Sequence, residues 1–118
     1  MRFTRRFTTD GQSAYDGIAF RTQASEIRNS GGKVVFAKCD VTVPADWSQI
    51  AVDILAQKYF RQAGVPAKLT PVAENDVPEF LWRRRAQPGA GSGGENDARQ
   101  VFDRMAGCWT WWARTRCN

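Results

Sequence analysis

The segment VPADWSQIAVDILAQKYFRQAGVPA, residues 43–67, decides how the rest of the chain is read. Pro44 suits the first turn of a helix, where its missing amide donor is not needed, and Asp46 puts negative charge at the positive end of the helix dipole. A helix is therefore expected to start near Ala45. Trp47, Ile50, Ala51, Ile54, Leu55 and Tyr59 recur at three- and four-residue intervals and draw one apolar stripe, as a helix packed on one side requires. Lys58, Arg61 and Gln62 fall in the last turn, where cations complement the helix C-terminus. Gly64 can take the left-handed conformation that ends a helix, and Pro66 blocks its continuation. The cluster Lys58, Tyr59, Phe60 and Arg61 also resembles a basic-aromatic binding surface, but a packed helix end accounts for it without a ligand.

Working upstream, SAYDGIAFRTQASEIR (13–28) alternates Ile18 and Phe20 with polar neighbours, and VVFAKCDVTV (34–43) is rich in strand-forming residues. Val34, Phe36 and Lys38 should share one face, with Val35, Ala37 and Cys39 on the other. NSGGK (29–33) between them reads as a turn, so the two runs make a β-hairpin. Downstream, NDVPEFLWRRR has the start signals of a short helix, with Asn75 or Asp76 ahead of Pro78. QPGAGSGGEN (87–96) is a flexible loop by composition. A last helix follows, capped by Asp97, whose apolar residues Val101, Phe102, Met105, Ala106, Trp109, Trp112 and Ala113 cover more than half its circumference and call for partners on two sides. The expected class is α+β: an N-terminal hairpin or small sheet, then about three helices. The expected organisation is a basic arm over 1–12, one domain over 13–113 and a divergent tail over 114–118.

With 118 residues, 42% apolar and 25% charged, the chain has room for one core and the composition of a folded domain. No apolar run approaches the roughly 20 residues that span a bilayer. The N-terminal residues lack the apolar centre of a secretory signal, so a cytoplasmic location without membrane contact is the expectation. A net charge of +5 permits phosphate or acidic partners without choosing among them. Cys39, Cys108 and Cys117 are odd in number and form no CxxC pair, which suits buried or idle thiols. Histidine is absent, which removes the His-based nucleophile triads, the commonest general acid-base and the usual zinc patterns.

The residues that invite a functional reading each have a structural alternative. Arg2, Arg5 and Arg6 mix with Phe3 and Phe7, and Arg83, Arg84 and Arg85 follow Phe80, Leu81 and Trp82. Interleaved cations and aromatics can hold phosphates and stack bases, which would make a nucleotide or single-stranded nucleic-acid binding module. Packed aromatics beside solvated arginines explain the same text. GAGSGG does not place glycines as GxGxxG, and no GxxxxGK[ST] is present. Glu74 with Asp76, and Glu95 with Asp97, sit at expected helix starts, where acids have a structural reason to be. Trp109, Trp111 and Trp112 crowd the last helix, and Trp111, off the helical spacing of the other two, points to a domain-packing surface that a neighbour completes.

Read together, SAYDGIAFRTQASEIRN, VPADWSQIAVDILAQKYFRQAGVPA, NDVPEFLWRR and GGENDARQVFDRMAGCWTWW closely resemble, in this order, the N-terminal region of adenosylcobalamin-dependent (class II) ribonucleotide reductases, over about Ser13 to Trp112. The resemblance implies an accessory, non-catalytic segment packed on a reductase α/β barrel, in cis or as a trans-acting partner. It implies adenosylcobalamin as cofactor of the full-length enzyme, with none held by this chain. The three cysteines do not match the family's catalytic set, so no catalytic, cofactor or metal residue is assigned and the chain alone is expected to be inactive. After Trp112 the text ARTRCN departs from the family, which leaves a truncated or shifted product, a fragment and an independent protein all open. Oligomeric state and nucleotide binding stay open as well.

Overall fold

A computed structural model describes residues 4–116. The Asn29 side chain closes the NSGGK turn by accepting from the amides of Gly31 and Lys33, both at 3.0 Å, with Gly32 at φ 79°. β1 (Phe20–Arg28) thereby folds back antiparallel on β2 (Val34–Pro44), as the alternation predicts. Gln23 faces Val41 but Ser25 faces Lys38, so β2 carries an extra residue near Cys39 and Asp40. This bulge resets the alternation. Phe36 and Lys38 before it, and Val41 and Val43 after it, turn to the same interior, where Phe36 packs on the core and Lys38 Nζ lies 5.9 Å from the Phe60 ring.

The decisive helix begins later than Pro44 suggests. β2 runs through Pro44, opposite Phe20, and the Ala45 amide donates to Ala19 O at 2.8 Å. Ser48 supplies the cap that Pro44 cannot, its hydroxyl accepting from the Ala51 amide at 3.2 Å, so α1 is Gln49–Ile54. A π-helical turn, Leu55–Tyr59, continues it and is closed by the Phe60 amide on Leu55 O at 3.1 Å. Phe60 is already extended, so Gly64 does not end the helix as expected; the Gln62 side-chain amide does, donating to Ala56 O and Phe60 O at 2.9 Å. Gly64, at φ 77°, serves the turn beyond.

The buried face is also displaced from the predicted stripe. Val52, Leu55 and Ala56 are buried, while Ile50, Ile54 and Tyr59 are 72, 50 and 51% exposed. Polar bonds fix that rotation: Ser25 donates to Asp53 at 2.7 Å, and Gln49 donates to Ala24 O at 3.0 Å, turning the Val52 side of α1 onto the hairpin.

Four short strands follow: β3 (Val65–Pro66), β4 (Leu69–Pro71), β5 (Arg84–Ala86) and β6 (Ser92–Gly93), paired antiparallel as β3 with β6 and β4 with β5. Between β4 and β5 the expected helix is a single 3-10 turn, Glu79–Leu81, beside which the Trp82 indole donates to Val77 O at 2.8 Å. The Gly-rich loop is pinned at its end, where β6 pairs and the Glu95 amide donates to Arg61 O at 2.8 Å. A Cβ on Gly94 would stand 2.8 Å from Gln62 O, so glycine there serves close approach of two backbones. α2 (Ala98–Arg116) opens on a reciprocal cap. Gln100 Oε1 accepts from the Asp97 amide at 3.0 Å, and Asp97 Oδ1 from the Arg99 amide at 2.9 Å.

The fold is thus α+β with two helices where about three were expected. Among the described residues the apolar core is Val41, Val43, Val52, Leu55, Ala56, Phe60, Ala98 and Val101. A radius of gyration of 17.3 Å exceeds the roughly 13–14 Å of a compact chain this long. Much apolar surface stays outside so small a core.

Candidate functional site

α2 divides two concave regions. On one side lies a cleft of about 1110 Å³ between α2 and the segment from β3 to β5. On the other lies a groove of about 560 Å³ between α2 and the α1 helix with its π turn.

At the floor of the cleft sits Glu95, whose side chain is wholly buried. Arg61 Nε donates to its Oε1 at 2.7 Å and the Arg61 amide to Oε2 at 3.1 Å; Arg104 Nε adds a bond to Oε1 at 3.0 Å. Arg104 also donates to the Tyr59 carbonyl. Burial pushes the Glu95 carboxyl up, but the bonds from Arg104 and Arg61 outweigh it and hold the group below the ordinary carboxylate value. This arrangement ties the end of the π turn, the Gly-rich loop and α2 at one point. Higher on the wall, Glu74 accepts from both the Arg83 amide and Arg83 Nε at 2.9 Å, and the amide bond foremost lowers its pKa. The Trp111 indole N–H is buried near Glu74 and contributes to that lowering without closing a bond of normal geometry.

The arginines singled out in the sequence are therefore engaged separately. Arg83 is held by Glu74; Arg84 lines the cleft, and Arg85, next to it on β5, is exposed. Arg5 bonds within its own arm to Thr8 and Asp10, and Arg6 is exposed. Arg2 lies outside the described residues. The tryptophans divide as well: Trp111 and Trp112 line the cleft, with their rings edge to face, whereas Trp109 lines the groove. Cys39 and Cys108 are exposed rather than buried, and Cys117 lies outside the described residues.

In the groove the predicted stripe reappears. Trp47, Ala51, Ile54 and Tyr59 form one wall and Phe102, Met105 and Trp109 the other, with Trp47 edge-on to Phe102 at 6.0 Å between centroids. Its walls are almost entirely apolar, and Phe102 and Trp109 are 37 and 66% exposed. Arg21 orients the Trp47 segment by donating to the carbonyls of Ala45 and Trp47.

Sequence reasoning passed over Glu95, because an acid just before a helix has an ordinary explanation; its partners are 34 and 9 residues away. It also missed the pair in which Tyr15 donates to Asp103 at 2.6 Å, where burial and then the Asp103 carboxylate push the phenol up. Neither is a reactive pair: Glu95 is saturated with donors, and Tyr15 is made harder to ionise. Among the described residues no group of three or more His, Cys, Asp or Glu could hold a metal ion, and no helix is long and apolar enough to cross a membrane.

Comparison with known proteins gives these surfaces a context. Residues 21–117 match the family model described as class II vitamin B12-dependent ribonucleotide reductase. The chain is 56% identical over 120 aligned positions to the vitamin B12-dependent ribonucleotide reductase of Agrobacterium fabrum and 55% identical to that of Bradyrhizobium diazoefficiens, with 95% of this chain covered in each. Against the Rhodopirellula baltica protein of the same name it is 31% identical over 70% of its length. The chain spans only about a tenth of these relatives, 9, 10 and 8% respectively.

Proposed function

Because the chain belongs to the class II vitamin B12-dependent ribonucleotide reductase family, we propose that it serves as the N-terminal, non-catalytic portion of a cobalamin-dependent ribonucleoside-diphosphate reductase, an enzyme of DNA precursor synthesis. The observation that carries this is a match along 95% of the chain that reaches only 9% of the relative. Its partner in this reading is the reductase catalytic domain, in cis or in trans, and its setting is the cytoplasm.

Cobalamin chemistry belongs to the remainder of such an enzyme. The donor set here does not fit the group: the chain has no histidine, its described cysteines are exposed on separate elements, and of the charged side chains lining the large cleft Arg61, Glu95, Arg104, Arg83 and Asp103 are held by partners, which leaves Arg84. No chemical step is therefore routed through these residues. What they do is hold shape. Arg61, Arg104 and Glu95 fix α2 against the hairpin core, and α2 in turn presents its outer face.

The test is ribonucleotide reduction with adenosylcobalamin and a dithiol. The chain alone should give no product, and replacing the matching segment of the Agrobacterium fabrum reductase by this chain should leave that enzyme active. Product from the chain alone, or an inactive hybrid, would overturn the reading.

A further inference from the structure

The groove between α1 and α2, smaller than the cleft but almost wholly apolar, is the feature the fold explains least. Each wall is a helix face with anchors at helical spacing: Phe102, Met105 and Trp109 at i, i+3 and i+7 on α2, facing Ala51, Ile54 and Tyr59 on α1 and its π turn. Two helices side by side offer ridges and a furrow that a third helix fills, and anchors at this spacing are those that receive an apolar helix face. Half-exposed isoleucine, tyrosine and tryptophan along one furrow are not the scattered apolar residues of an ordinary surface.

We propose that this groove seats an apolar helix from the remaining nine-tenths of a reductase chain; the inference rests on the functional reading above. Size and charge select that occupant. A groove of about 560 Å³ offers far less surface than the roughly 800 Å² per partner that separate chains bury on stable association. A covalently linked occupant needs less, because tethering raises its effective concentration to about millimolar. A second copy would carry the same net charge of +5, so two like-charged chains would have to meet.

The experiment uses the Agrobacterium fabrum reductase carrying this chain in place of its matching segment, with photoreactive benzoylphenylalanine at position 54, 109 or 50. Ile54 and Trp109 line the groove, whereas Ile50 is on the same helix, more exposed and outside it. Mass spectrometry should find intramolecular cross-links from 54 and 109 into one segment of the remainder, several-fold above those from 50. An active hybrid with equal yields from all three positions, no cross-links, or cross-links joining two copies would overturn the groove assignment and leave the family reading standing. An inactive hybrid overturns both. Because activity and cross-linking are read on the same protein, a substitution that merely misfolds is recognised as such.

Discussion

The two sides of α2 are finished differently. On one side Arg104 bonds the buried Glu95 carboxylate; on the other, Phe102, Met105 and Trp109 face the groove. Physical chemistry explains why polar closure is internal and apolar closure is left over. A buried carboxylate without its cations is penalised by several kcal/mol, so its partners must lie in the same fold. An exposed apolar side chain forgoes only the transfer energy of its own surface, about 25 cal/mol per Å², which a later contact can recover.

The contrast can be broken most directly at Glu95. Glu95→Ala removes the shared acceptor of Arg61 and Arg104, which water still reaches, and urea denaturation should show a loss of about 2–3 kcal/mol from the lost charged hydrogen bonds. A loss near zero would mean that apolar packing alone closes that side. Next, Gly94→Ala forces a methyl against the Gln62 carbonyl and should cost roughly 1–3 kcal/mol by the same measurement. Wild-type stability would show that the two backbones separate freely.

Acid sharpens the same side. The Glu95 carboxyl is held below its ordinary value of 4.5, so its contribution is complete above that pH and is lost as pH falls through the lower folded-state value. Urea midpoints taken from pH 7 downward should stay level until the acid range and then fall. Glu95→Gln should shrink that fall without abolishing it, since Asp97 and Glu74 are lowered too. The smallest effect belongs to the open side: Ile54→Ser and Trp109→Ser in this chain should each change stability by no more than about 0.5 kcal/mol, as exposed positions do. A large loss from either would show the groove already closed.

What could be read in the sequence follows the range of the interactions. The hairpin was legible because Asn29, Gly31 and Gly32 specify its turn locally and the strands alternate. The reciprocal cap around Asp97 was half legible, with Gln100 overlooked. The bulge near Asp40 left no trace, since one extra residue changes register but not composition. Pro44 and Ser48 both offered a helix start, and the choice between them was made by Ala19, a distant carbonyl that claims the Ala45 amide. The apolar stripe from Trp47 to Tyr59 was real as a pattern, but periodicity cannot tell a face turned to the core from one turned to a groove. Burial of Val52 and Ala56 was decided by Ser25 and Ala24 on β1.

The distance along the chain between Arg61 and Glu95 also has a meaning in time. Synthesis proceeds from the N-terminus at roughly 5–20 residues per second. Once Arg61 has been added, 34 more residues are needed before its acid exists, an interval of a few seconds at that rate. Until then the hairpin and α1 have no α2 to lie against, and the core lacks Ala98 and Val101. The domain thus completes its own interior at the moment the outer face of α2 is being made.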